Sequence, residues 1–145
     1  MATMTFFRQL RRDGGVRTGI DVGDDTVLSL FEGGEDDSDP TIEWYVDVRC
    51  QGAGLPGEAE AARRWLLRHG NAIQKVMLAL ADSIKAGIDP GDWPIRRDVR
   101  VGTVKVAVVC TAARRAAAQK MPGVLRDICN HWQDYLSNLL VPQFQ

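Results

Sequence analysis

A chain of 145 residues with a formal net charge of −1 is the size of one domain. Its 45% hydrophobic and 26% charged residues exclude a disordered chain, a collagen-like repeat and a disulfide-framed miniprotein. No apolar run approaches the ~20 residues that span a bilayer, and Phe6 and Phe7 precede Arg8, Arg11 and Arg12, the reverse of a secretory leader.

Residues 6–12 fit a helical turn or an edge strand, broken by Gly14-Gly15. Arg17–Val22 and Thr26–Phe31 are β-prone runs around the turn signal Gly23-Asp24-Asp25, which predicts a hairpin. Residues 32–40, EGGEDDSDP, form a polar loop. Thr41–Cys50 alternates, with Ile42, Trp44, Val46, Val48 and Cys50 on one side and Glu43, Tyr45, Asp47 and Arg49 on the other. That is the pattern of a half-buried antiparallel strand. A long helix is predicted from near Glu58 to near Gly87. Its apolar stripe comprises Ala62, Leu66, His69, Ile73, Val76, Met77, Leu80 and Ile84, with a weak point at Gly70-Asn71. Leu67 and Leu78 fall off that stripe, as residues meeting a second layer or a partner would.

Val99–Cys110 is a second strong strand region, with a bulge or tight hairpin expected at Gly102-Thr103. Ala112–Lys120 fits a short helix, and Pro122 opens a final helix to about Leu140 with a core face of Val124, Leu125, Ile128, Trp132, Tyr135, Leu136 and Leu139. The element order β-β-β-α-β-α-α predicts a two-layer α+β fold. A mostly antiparallel sheet packs against the long helix and the C-terminal helix, and a strand returning from a helical crossover is expected parallel to the one it left. Residues 1–145 read as a single α+β domain, with 1–16 open to being a loosely packed N-terminal segment.

The charge is segregated. Between Asp21 and Asp47 there are ten acids and no Lys or Arg, whereas residues 48–145 sum to +6. Such separation can steer a partner or align identical subunits, or it can be neutralised within the chain. A nucleic-acid surface formed by the whole domain is not expected, because the acidic stretch repels phosphates. Cys50, Cys110 and Cys129 are odd in number and lack a CxxC pair, as in a reducing, cytoplasmic compartment.

Three constellations bear on chemistry. Gly19-Ile20-Asp21-Val22-Gly23, followed by Thr26-Val27-Leu28, resembles the first phosphate-site strand of actin-like ATPases and the first strand of ribonuclease-H-like nucleases. The resemblance implies a metal-holding role for Asp21. It covers residues 19–31 only, and Val104–Cys110 lacks the further acid those nucleases carry. A plain hairpin produces the same string. On the final helix, Asp127, His131, Asp134 and Asn138 share a flank. Were Asp21 to join Asp127, His131 and Asp134, the set would suit a two-metal phosphoester hydrolase. Without it, the flank is the wet border of an amphipathic helix. Cys110, at a strand end before Arg114 and Arg115, has the placement of an activated thiol but lacks a glycine-bearing anion cradle.

No catalytic set is complete and no cofactor or metal motif is present. The reading that follows is a non-catalytic protein-interaction protein, either a self-associating subunit or an inhibitor- or immunity-type binder. It would use the acidic surface of Glu35, Asp36, Asp37 and Asp39 together with Leu67 and Leu78, with no membrane partner. The metal-dependent phosphoester hydrolase is the alternative.

Overall fold

The structure is a computed structural model and describes residues 2–34, 41–85 and 93–142. Six strands form one antiparallel sheet: β1 (Thr3–Arg11), β2 (Val16–Val22), β3 (Asp25–Glu32), β4 (Ile42–Gln51), β5 (Ile95–Val101) and β6 (Val104–Ala112). Their spatial order is β3-β2-β1-β4-β6-β5. Four helices accompany the sheet among the described residues: α1 (Ala59–Arg68), α2 (Gly70–Lys85), α3 (Arg115–Asn130) and α4 (Trp132–Ser137). This is the expected α+β architecture, with helices packed on a sheet. No helix among the described residues is long and apolar enough to cross a membrane.

The period-2 alternation of the strands decides what each residue faces. Met4 and Phe6 of β1, Ile20 of β2, Leu28 of β3, Val46, Val48 and Cys50 of β4, and Val104, Val106, Val108 and Cys110 of β6 are all buried under the helices. Phe6 meets Trp132 of α4 edge-on at 5.1 Å between ring centroids, which ties the centre of the sheet to the C-terminal helix. The chain reverses between β2 and β3 and between β5 and β6 through two-residue connections. Their first residues, Gly23 (φ 64°) and Gly102 (φ 61°), take the positive φ that such tight hairpins demand.

The N-terminal segment is neither helical nor loose. β1 lies inside the sheet, hydrogen-bonded to β2 on one side and β4 on the other, with Met4 and Phe6 only 1% exposed. Phe7 interrupts the alternation in the sequence because both faces of β1 are partly covered. The Val99–Cys110 region resolves into the β5–β6 hairpin, turning at Gly102-Thr103 as anticipated. The crossover from β4 returns to β5, which runs parallel to β4. The strand beside β4, however, is β6, and it is antiparallel.

Both predicted long helices are divided, and the two breaks meet. The first divides at His69, where α1 ends and α2 begins with Gly70. The last divides at His131, nine residues beyond Pro122, which α3 accommodates in its interior. Trp132 fills the junction, donating its indole N–H to Leu66 O at 3.1 Å. A Cβ on Gly70 would lie 2.6 Å from Trp132 Nε1, so the close approach of α2 to α4 requires glycine here. Arg63 of α1 donates to the Leu139 and Ser137 carbonyls and satisfies the C-terminal end of α4. Ala62, Leu66, Ile73, Met77, Leu80 and Ile84 are buried as predicted. His69 is half-buried instead and stacks on Trp65 at 4.6 Å.

These contacts decide the sign of one substitution. Gly70→Ala, at the first residue of α2, gains at most about 1 kcal/mol of helix propensity but forces the buried Trp132 ring to move, an overpacking cost of ~1–3 kcal/mol. The expected result in urea unfolding is a less stable variant with an unchanged m-value. A more stable one would contradict the packing described.

Candidate functional site: the open face of the sheet

The residues that alternate with the core positions form the second face of the sheet, and the four helices all lie on the other side. Cross-strand register arranges this face in rows. One row runs Asp21–Thr5–Arg49–Ala107–Asp98, and the next runs Thr3–Gln51–Lys105–Arg100. A third contains Gly19, Phe7, Asp47, Val109 and Arg96. Here Phe7 lies over Gly19, where a Cβ would come within 2.5 Å of its ring. The Arg17 guanidinium in turn covers Phe7, 5.5 Å from the ring centroid. Gly19, the first residue of the nuclease-like string, therefore serves an aromatic packed across the strand pair.

At the β5–β6 turn end the open face hollows into a groove of about 580 Å³, lined among others by Thr3, Thr5, Gln51 and Ala107. Its charged lining is Arg49, Arg96, Arg100, Lys105 and Asp98. Arg96 pairs with Asp98 at 2.7 Å and Arg49 with Asp47 at 3.2 Å. Arg100 and Lys105 form no ion pair with a described residue, and they stand directly opposite each other in the hairpin. A complementary pair at such a position contributes ~0.2–1 kcal/mol, whereas like charges destabilise it. The fold therefore holds two cations together at the mouth of a groove against their mutual repulsion. Asp47, deeper on the same face, has its carboxyl raised above the usual range. Burial is the main cause, opposed by Arg49 and reinforced by the charge of Asp21.

The sites anticipated from sequence are dispersed. Asp21 lies on the open face, beside Thr5 and adjoining the groove, with its Oδ1 shielded from solvent and accepting no hydrogen bond. Asp127, His131 and Asp134 belong to the helical layer on the other side of the sheet. The strand alternation that turns Phe6 towards Trp132 turns Thr5 and its partner Asp21 away. The four residues do not converge, and among the described residues no group of three His, Cys, Asp or Glu could hold a metal ion.

Asp127 is instead engaged locally. It accepts from the Tyr135 hydroxyl at 2.5 Å and lies 3.2 Å from His131 Nδ1, while the Arg8 guanidinium stacks 3.9 Å over the Tyr135 ring. Burial and the bond to Asp127 push the Tyr135 hydroxyl up to about 12. This network joins β1, α3 and α4. Asp134 is exposed and accepts the Asn138 N–H through its backbone carbonyl.

Among the proposed interaction residues, Leu78 is 42% exposed on α2. Leu67 is half-buried and lines the small cleft at the helix breaks with Gly70 and Trp132. Glu35, Asp36, Asp37 and Asp39 lie outside the described residues. Other acids of the same stretch are neutralised within the chain. Glu43 binds Arg114 at 2.7 Å and faces Arg12 at 3.6 Å, Glu32 faces Arg8 at 3.6 Å, and Asp47 meets Arg49.

The cationic groove was missed in the sequence because its four cations come from three strands. The available signal was Arg96, Asp98 and Arg100 at every second position of β5, a charged strand face. Cys110 is fully buried and burial pushes its thiol up to about 12, which removes it as a nucleophile. No family model, no curated protein and no solved structure was found to match the chain.

Two measurements probe this description. Because the folded-state pKa of Asp47 is raised, the native protein holds that proton more tightly than the unfolded chain does. The contribution of Asp47 to stability is therefore lost as pH rises from the unfolded carboxylate pKa through the folded one. Asp47→Asn is accordingly expected to be more stable than wild type at neutral pH, and the gap should close as pH falls below the carboxylate range. Thermal melts across pH would read this, and an Asn variant less stable at neutral pH would refute it. In the native protein at neutral pH, Cys50 and Cys110 should react with an aromatic disulfide reagent at least about a hundredfold more slowly than in urea. Rapid native labelling of Cys110 would show that the strand is not closed over it.

Proposed function

We propose that the protein is a non-catalytic interaction protein that recognises an acidic segment of a protein partner through the groove on the open face of its sheet. One observation carries the reading: Arg100 and Lys105, directly opposed and without acidic partners among the described residues, stand beside Arg49 and Arg96 at a concave surface. Uncompensated like charges in a concavity attract a complementary ligand and speed its encounter. An acidic peptide suits the site better than a nucleic acid. The cations occupy one short hollow instead of a long track, and the chain as a whole carries −1. The open face adds hydrogen-bonding side chains, Thr3, Thr5 and Gln51, that can hold an extended backbone at the groove floor. Catalysis is not part of the reading, because the acids and the histidine considered for it lie on opposite faces of the sheet.

Titration calorimetry with poly-L-glutamate as the probe tests this. Binding is expected at low ionic strength, weakening as salt screens the charges. It should be lost in Arg100→Ser/Lys105→Ser and kept in Arg68→Ser/Lys75→Ser, which removes the same charge from exposed helix positions. Absence of binding to the wild-type protein, or equal loss in both double variants, overturns the proposal.

A further inference from the structure

The two edges of the sheet are finished differently. At one edge, β3 carries an irregularity in its pairing beside Asp21 and is met by the C-terminal segment. There Ser29 N–H donates to Leu140 O at 2.8 Å and Leu140 N–H donates to Ser29 O at 3.2 Å. At the other edge, β5 pairs with β6 from Ile95 to Val101 without a shift and contains no proline. Bulges, prolines, covering segments and charge are the usual guards of an exposed edge. Among the described residues, β5 keeps only charge.

The two-residue connection at Gly102-Thr103 fixes which backbone groups of β5 are free. Val101 and Val104 flank the turn and exchange both hydrogen bonds, and the ladder then alternates, so Val99, Arg97 and Ile95 also bond to β6. The N–H and C=O groups of Arg96, Asp98 and Arg100 point away from β6, and no described residue bonds those groups. All three residues are exposed, and their side chains form the charged border of the groove. Three arginines against one aspartate leave β5 with a charge of +2. That charge repels a second copy of the same edge and admits an acidic strand.

Resting on the reading of the groove as an acidic-peptide site, we infer that the partner's segment binds as a further strand added to β5. Its acidic side chains fall at alternate positions, beside Arg96 and Arg100 on the open face. The positions between them turn towards the half-buried Val99 and Val101 and take apolar, β-branched residues. Backbone pairing supplies the hold, and the cations select the partner.

Asp98 separates the edge from the charge. Asp98→Asn removes the carboxylate and frees Arg96 from its 2.7 Å pair, but keeps the outward N–H. Asp98→Pro removes the same charge together with an N–H that β6 does not use. Calorimetry with a capped peptide of alternating Glu and Val should show Asp98→Asn binding at least as tightly as wild type and Asp98→Pro at least about tenfold more weakly. Should circular dichroism show the proline variant unfolded, amide exchange in the wild-type protein decides. Saturating peptide should slow the Arg96, Asp98 and Arg100 amides by at least about tenfold, whereas the Arg97 and Val99 amides are slow without it. Three amides that stay fast, binding undiminished in a folded Asp98→Pro variant, or binding of polyglutamate without binding of the peptide each overturn strand addition and leave the groove's function standing. If wild type binds neither probe, both readings fall. A dimer in sedimentation velocity that Asp98→Pro dissociates assigns the edge to a second copy and overturns the acidic partner.

Discussion

A strand has two faces and this sheet has helices on only one, and most of what distinguishes the protein follows from that constraint. The helix-facing residues are closed off by α1–α4 and reach almost zero exposure at Ile20, Val48, Val108 and Cys110. Each ~25 cal/mol stabilisation per Å² of apolar surface is collected on that side. The other face is left with the residues that alternate with them, and charge on that face is arranged by register. A one-residue slip would exchange the two sets, so the groove and the core are specified by the same alternation.

The joint between the layers is narrow. Trp132 reaches Phe6 below it and Leu66 O beside it, and it requires a glycine at position 70. Two helices break at this one point. The break in the first coincides with a glycine, but the break in the last follows no proline or glycine. It falls where α4 must turn so that Trp132 can enter the junction, while Arg63 holds the carbonyls at its far end.

Charge in the first third of the chain divides between two roles. Glu43 is buried beside Arg114, whose residue caps α3, and Ala113 N–H donates to Glu43 O. The acid and its backbone together fix the start of α3 against β4, and breaking such a buried pair from one side leaves an uncompensated charge. Glu32 and Arg8 lead into the Tyr135–Asp127–His131 network, which is architectural in its contacts. The early acids are thus not one outward-facing surface. Those whose positions are described and that pair with arginines belong to the framework. The run at 35–39 stands apart in sequence as the dense part of the stretch.

The sequence by itself determined the α+β class, the hairpin turn at Gly23, an interruption of the later strand region at Gly102, the core phase of β4 and β6, and the buried stripe of the long helical region. Each of these is a local periodicity or a backbone demand met within a few residues. It left β1 ambiguous, because Phe6 and Phe7 are adjacent and a strand at the centre of a sheet is identified by its neighbours. It left open, as an alternative, that Asp21 joins Asp127, His131 and Asp134, because spacing along a chain carries no information about which side of a sheet a residue occupies. Tertiary structure alone decided that question, the meeting of both helix breaks on Trp132, and the gathering of Arg49, Arg96, Arg100 and Lys105. The physical reason is common to all three: pairing between strands distant in sequence sets which side chains become neighbours, and no local pattern encodes it.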